Sequence, residues 1–342
     1  MNSELFTAIT EDGSLSLVSG LYMQLYHNRI GAYTEALLNY SNVAMAVLRA
    51  VHGVELPSTI NILDCCFGLG YNSLVFAQEL PPNIDLNVTA IELDPGVMQF
   101  VPQVLNQACF APLRAAGLSR DDAAAIGAFA RTEVHCPGKN GTYTFEMVAS
   151  CLRDYWRQHG DRHQGSQHLI LHDPFSPKKM PELWTIDLFE RYKAALVDGG
   201  MVLTYSSAPA VRGAFLELGF RVYRTPFLGG KWGGTLAVLG DYMEEPVANG
   251  ELAEHITPLG ALEYERLVKS SRVPFRDPGL KSEREDILAA RIAEQEVFFA
   301  EVRAQRLANG ERVGPAGKRR KRKDAKLALG QNQILATDSG TN

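Results

Sequence analysis

The sequence predicts an α/β fold with a seven-stranded, mostly parallel sheet, and three observations point to it. Beyond an N-terminal stretch, short apolar runs alternate with helix-patterned segments. The run "HLILHDPF" at 168–175 is almost continuously apolar, as a strand covered on both faces is, and it ends in Asp and Pro. The last two runs, "RVYRTPF" and "GTLAVLG", have no long helix between them, so they pair antiparallel, because a parallel partner needs a crossover.

Taken in order, "INILDCC" (60–66) is the first strand, and after a glycine turn "YNSLVFAQEL" is its helix, with Asn72 or Ser73 as the capping residue. "NVTAIEL" (87–93) is the second strand, and Pro95 stands where the helix "GVMQFVPQVLNQA" begins. Residues 109–141 carry Ala-rich helical turns ending in "CPGKNG" and read as an insertion leading into "YTFEMVAS", the third strand. "HLILHDPF" is the fourth. "PELWTIDLFERYKAALVDGG" has apolar residues at helical spacing and stops at paired glycines, after which "MVLTYSS" is the fifth strand. The short helix "APAVRGAFLELGF" precedes strands six and seven. Residues 281–310 form a long amphipathic helix ending at Gly310, and the remainder has the polar, basic composition of a disordered tail.

The 342 residues, 46% hydrophobic and 21% charged, suffice to bury a large core. The expected plan is an N-terminal extension over 1–55 that contributes to the site, an α/β domain over 56–242, a C-terminal extension over 243–310 and a tail over 311–342. No segment approaches the roughly 18 apolar residues of a membrane span, and the start lacks the basic-then-apolar layout of a signal peptide, which places the protein in the cytoplasm. The five cysteines form no CxxC pair and no Cys/His cluster at zinc spacing, so no metal is expected. Cys65 and Cys66, adjacent on a strand, point to opposite faces and read as small, buried, apolar-like residues. The net charge of −5 hides an asymmetry: "KRRKRK" at 318–323 carries six positive charges, leaving −11 for everything else.

Gly68-Leu69-Gly70 follows a strand and opens a helix, where backbone N–H groups receive an anionic group and a Cβ would block close approach. Glu92, 22 residues past Gly70, ends the second strand, where a carboxylate can accept both hydroxyl hydrogens of an adenosine ribose. A nicotinamide-dependent oxidoreductase uses the same logic, but the third glycine of its fingerprint is Ser73 here. Asp64, directly before the turn, is poorly suited to a pyrophosphate. It suits a cationic ligand, or the ordering of the loop. S-adenosylmethionine is such a ligand, with a sulfonium, an ammonium, a carboxylate and an adenosine but no phosphate.

"LDCCFGLG" resembles the hhDxGxGxG motif of class I S-adenosylmethionine-dependent methyltransferases, with Asp64, Gly68 and Gly70 in register and Cys66 where the first glycine usually stands. "DPF" at 173–175 resembles the Asp or Asn, Pro, Pro, aromatic motif of class I enzymes that methylate amino nitrogens. With "EDGSLSLVS", "YHNRIGAYTEAL", "HDPFSPKKMPELWT", "DGGMVLTYSSAPAVRGAFLELGF", "GGKWGGTLA" and "VPFRDPGLKSE", the chain resembles the methyltransferase part of the MnmC family over most of residues 8–285. That family includes stand-alone relatives without the flavin oxidase domain. The resemblance implies a Rossmann-like class I domain over 56–242 and N-methylation of the aminomethyl group of 5-aminomethyl-(2-thio)uridine at the wobble position. It implies the anticodon region of tRNA as partner and no oxidase activity. The alternatives are the oxidoreductase, a methyltransferase acting on a small-molecule amine, and a non-catalytic RNA-binding module. Intact Asp173, Glu92 and loop glycines argue against the last.

In this reading Asp173 accepts the amine's hydrogens and leaves the nitrogen lone pair aimed at the methyl carbon, Pro174 fixes the turn and Phe175 walls the pocket. Gly68 and Gly70 admit the methionine part of the cofactor, Asp64 orders the loop and Glu92 binds the ribose. Asp154 in "LRDYW" stands where related enzymes put an acid near the adenine amine, with a solvated helix-start Asp as the alternative reading. Glu35 and Tyr26 close over the cofactor from the N-terminal side. Lys178, Lys179 and Lys231 are the expected substrate contacts, Lys231 with Trp232 and Gly233 where the family has further basic residues. Phe175 and Trp184 are candidates to stack on a flipped wobble base, although Trp184 sits in a helix pattern and reads as core. The basic tail offers sequence-independent attraction to phosphates, or acts only as a solubilising segment.

Overall fold

The computed structural model describes residues 5–21, 23–228, 233–267 and 272–310. The chain divides into two compact units, Met1–Gln295 and Glu296–Asn342. The second is described through residue 310 and is helical to Ala308. Lys231, Trp232 and the "KRRKRK" tail lie outside the described residues. Among the described residues no helix is long and apolar enough to cross a membrane.

The first unit opens with a small antiparallel sheet of β1 (Leu5–Ile9), β2 (Leu15–Ser19) and β3 (Gln24–Leu25). Its first turn is built on Asp12, whose carboxylate accepts from the Ser14 N–H at 2.9 Å and hydroxyl at 2.6 Å, and from the Thr34 N–H at 3.0 Å and hydroxyl at 2.7 Å. Burial pushes the Asp12 carboxyl up, but these donors outweigh it and hold it at about 2. The turn is thereby pinned to a helical stretch, Ala32–Glu35 continuing through a wide π turn at Ala36–Ser41 into Asn42–His52.

The main sheet has nine strands among the described residues: β4 (Thr59–Cys65), β5 (Asp85–Glu92), β6 (Thr132–Cys136), β7 (Gly141–Ala149), β8 (Gln167–His172), β9 (Leu196–Thr204), β10 (Arg221–Arg224), β11 (Thr235–Val238) and β12 (Thr257–Pro258). Their order is β12-β10-β11-β9-β8-β4-β5-β7-β6. The five central strands run parallel, and β11 runs antiparallel to both β9 and β10. The seven expected strands are β4, β5 and β7 to β11. β6 and β12 extend the edges. β6 falls within 109–141, where only helical turns were expected; Thr132, Val134 and Cys136 are buried while Glu133 and His135 are exposed, a period-two pattern that five residues after an Ala-rich run barely reveal.

The chain steps outward from β4 to β5 and β7, then returns to lay β8 on the other side of β4. Such a reversal opens a crevice at the carboxyl ends of the strands. The walls are closely packed. The helix Tyr71–Glu79 is buried along Tyr71–Gln78, and beneath the β8 side Phe189 stacks on Phe215 at 4.4 Å between ring centroids. The helix Ile186–Ala195 starts at Thr185, whose hydroxyl accepts from the Leu188 N–H at 3.4 Å. The segment "VPFRDPGLKS" is bound into this unit: Asp277, fully buried, pairs with Arg153 at 2.8 Å and accepts the N–H groups of Lys281 and Ser282 at 2.9 and 2.7 Å.

Candidate active site

The carboxyl ends of β4, β5, β8 and β9 surround a cavity of about 670 Å³, whose wall includes Tyr26, Glu35, Gly68, Asn72, Glu92, Asp173, Phe175 and Tyr205. Sequence reading brings six of these together from distant positions. Asn72 and Tyr205 were not anticipated on this wall.

The loop after β4 is made by three left-handed residues, Cys66 (φ 67°), Gly68 (φ 57°) and Gly70 (φ 80°). The N–H groups of Cys66 and Phe67 both donate to the Ile91 carbonyl, at 3.0 and 3.1 Å. The Gly68 N–H donates to Glu92 Oε2 at 2.9 Å, and Leu93 and Asp94 N–H donate to Oε1 at 2.8 and 2.9 Å. Glu92 therefore ties the glycine loop to the end of β5. Gly70 is required by the loop's own packing: a Cβ there would stand 2.5 Å from the Phe67 ring. At Gly68 a Cβ would meet nothing nearer than the Tyr26 ring at 3.7 Å, so its backbone angle is what demands glycine.

The following helix corrects one expectation. Gly70 is its N-cap, and neither Asn72 nor Ser73 caps it. Both side chains instead reach acids at strand ends. Ser73 Oγ donates to Asp64 Oδ2, and Asn72 Nδ2 donates to Asp173 Oδ2 at 2.9 Å. Asp64 is fully buried behind the loop, its Oδ1 has no donor among the described residues, and burial pushes its carboxyl up to about 7.

Asp173 lies on the cavity wall. Burial pushes its carboxyl up to about 6, opposed by hydrogen bonds from Asn72 and the Tyr40 hydroxyl. The DPF turn is clamped along its backbone. Asp173 N–H donates to the Cys65 carbonyl at 3.2 Å, Tyr205 OH donates to the Pro174 carbonyl at 3.0 Å, and the Trp184 indole N–H donates to the Phe175 carbonyl at 2.9 Å. Trp184 is fully buried. The Phe175 ring meets Tyr26 edge-on, centroids 5.0 Å apart.

The other expected residues separate into two groups. Glu35 is on the wall and accepts the Asn28 N–H at 2.7 Å. Asp154 is half-exposed and pairs with Arg157 away from the wall, where Ser150, Cys151 and Leu152 stand instead. Lys178 and Lys179 are exposed beyond the DPF turn and outside the cavity lining; Arg284 donates to the Lys178 carbonyl at 2.9 Å. Sequence reading missed Tyr40 and Tyr205. Tyr205 had a signal, the carboxyl end of a parallel strand; Tyr40 had none.

The wall is acidic. Glu35, Glu92, Asp94, Asp173 and Glu182 line it against Arg153, which is paired with Asp277, and His27, whose imidazole burial pulls down to about 4. Such a lining draws in a cation and repels a pyrophosphate. The orphaned Asp64 oxygen behind the loop adds to that preference. Among the described residues no three His, Cys, Asp or Glu side chains are grouped to hold a metal ion.

Comparison with known proteins agrees with this chemistry. Residues 158–240 match a family described as S-adenosyl-L-methionine-dependent methyltransferase. The crystal structure of MnmC2 from Aquifex aeolicus superposes with a TM-score of 0.64, at 25% identity and covering 86% of each chain. The tRNA 5-methylaminomethyl-2-thiouridine biosynthesis bifunctional protein MnmC of Burkholderia vietnamiensis is 26% identical over 69% of this chain and 34% of its own. An uncharacterised protein of Methanocaldococcus jannaschii is 23% identical over 82% of this chain and 70% of its own. The chain thus spans about a third of the bifunctional Burkholderia relative. The fold and the match define a class I S-adenosylmethionine-dependent methyltransferase, and the nicotinamide reading is set aside. Within that class the protein is MnmC-like.

Proposed function

We propose that the protein methylates the aminomethyl nitrogen of 5-aminomethyl-(2-thio)uridine at the wobble position of tRNA, in the cytoplasm. The observation that carries this reading is Asp173: a partly buried carboxylate on an acidic wall, followed by a turn whose Pro174 and Phe175 carbonyls are held by Tyr205 and Trp184. That relatives of the chain are named for tRNA 5-methylaminomethyl-2-thiouridine biosynthesis supports this choice of substrate.

S-adenosylmethionine supplies a methyl carbon bonded to a sulfonium, which leaves as a neutral thioether. Gly68 borders its methionine part, with Gly70 shaping the loop beside it, and Glu92 its ribose, with Tyr26 and Glu35 closing from the N-terminal side. An alkyl ammonium has no lone pair, so the substrate must lose a proton before attack. Asp173, with its carboxyl at about 6, is mostly ionised at neutral pH and accepts that proton directly or through water. It then holds the remaining N–H and orients the lone pair. Phe175 and Tyr26 wall the base. Lys178, Lys179, Lys231 and the basic tail meet phosphates, offsetting the acidic body.

Nucleoside mass spectrometry of tRNA from cells with and without the protein tests this. Loss of the protein leaves aminomethyl-uridine unmethylated; an unchanged nucleoside profile refutes the proposed substrate.

A further inference from the structure

The wall beside Asp173 carries an acceptor that the fold does not use. Asn72 is 8% exposed, lines the cavity and donates through Nδ2 to Asp173 Oδ2 at 2.9 Å. An ionised carboxylate only accepts, so the NH2 arm of the amide faces it and Oδ1 is the other arm. Among the described residues Oδ1 accepts no hydrogen bond, yet it is not sealed in the interior as Asp64 Oδ1 is. On a side chain this buried, the opening is the cavity.

The helix does not need this amide, because Gly70 holds the cap position and no side chain caps it. The carbonyls of the DPF turn are already engaged: Pro174 accepts from the Tyr205 hydroxyl at 3.0 Å and Phe175 from the Trp184 indole at 2.9 Å. An amine resting on Asp173 therefore finds Asn72 Oδ1 as the open acceptor on the amide that touches the carboxylate.

We propose that Asn72 Oδ1 is the second acceptor for the substrate amine, and that Asp173 and Asn72 together limit transfer to one methyl group. This rests on the assignment of Asp173 as the amine's partner. A neutral primary amine has two hydrogens and one lone pair. With one hydrogen on Asp173 and the other on Asn72 Oδ1, the lone pair has a single direction left, and it forms the N–C bond as the C–S bond breaks and leaves its electrons on sulfur. The product is a secondary ammonium whose two N–H groups both acceptors still hold. A second transfer requires one of those protons to leave for Asp173 or water, after which the nitrogen carries one hydrogen, one methyl and its lone pair. Aiming that lone pair as before turns the methyl onto one of the two acceptors, which is then desolvated without a donor.

The test uses the full-length protein and anticodon stem-loops whose wobble uridine carries an aminomethyl, a methylaminomethyl or a dimethylaminomethyl group. As ammonium ions these offer three, two and one N–H groups. Without cofactor, the wild type is expected to bind the first two within about twofold of each other and the third at least about tenfold more weakly, for want of one charge-assisted hydrogen bond. Asn72→Leu keeps the volume and removes the acceptor, and it levels the second and third probes. Asn72→Ala does the same should the larger side chain disturb folding, which circular dichroism and the Kd for S-adenosylmethionine check. With cofactor and exhaustive turnover, mass spectrometry finds one added methyl for the wild type and a second, slower one for the variants. If the wild type binds the dimethylated probe like the methylated one, or the variants discriminate as it does, the inference is overturned while the substrate stands. If no probe binds, the wobble substrate falls and the inference with it.

Discussion

Asp64 and Asp173 end neighbouring parallel strands, β4 and β8, and are held by consecutive residues of one helix, Ser73 and Asn72. Asp64 is fully buried behind the loop and bonded to Ser73, while Asp173 is bonded to Asn72 and lines the cavity. Residue type and strand position do not separate them. What does is the side of the loop on which each carboxylate lies.

The largest expected effect is at Asp173. Asp173→Ala lowers single-turnover methyl transfer by about 10²- to 10⁴-fold while calorimetric S-adenosylmethionine binding is retained. Wild-type turnover in this variant removes the role assigned to it. Asn72→Ala deletes one charge-assisted hydrogen bond, worth about 1.5–3 kcal/mol, and lowers kcat/KM by roughly 10- to 100-fold; its neighbour Ser73→Ala leaves the acid limb of the pH profile in place. If both variants shift that limb alike, the two acids are not separate devices.

Asp64 gives a stability signature. Its carboxyl rises from an ordinary 3.8 to about 7 in the folded protein, so the folded state holds the proton more tightly than the unfolded chain. The resulting stability is full below about pH 4 and is lost as pH rises to 7, with a slope of at most about 1.4 kcal/mol per unit. Asp64→Asn flattens this part of the curve, as urea denaturation at pH 5 and pH 8 will measure; parallel curves for variant and wild type dismiss the buried acid as the cause. The smallest effect is at Cys66, a left-handed non-glycine residue between the two acids' strands and the loop. Cys66→Gly removes backbone strain of roughly 1–2 kcal/mol, less what glycine loses in the unfolded chain, and raises Tm by a few degrees.

The frame of this molecule was legible because it is local. Apolar runs gave β4, β5 and β7 to β11, and the acids at 64, 92 and 173 could be placed at strand ends before any coordinates. The site was legible where motif and strand end coincide, as at Gly68, Glu92 and Asp173. It was not legible where a side chain reaches across the fold. Asn72 carries a good capping side chain in a capping context, yet Gly70 holds the cap position and tertiary contact with Asp173 takes the amide. Tyr40 belongs to an apolar helix and reads as ordinary core. Asp154 shows the converse, a plausible motif position whose side chain pairs with Arg157 instead.

Trp184 gives the DPF turn an optical readout. Its indole N–H is bonded to the Phe175 carbonyl, and its ring meets His172 and Tyr205 edge-on at 4.6 and 5.9 Å. Any shift of that turn when the amine enters alters the indole's hydrogen bond and the quenchers around it. With Trp156 and Trp232, the other tryptophans of the chain, replaced by Phe, emission from this one fluorophore times the arrival of substrate separately from the methyl transfer that follows.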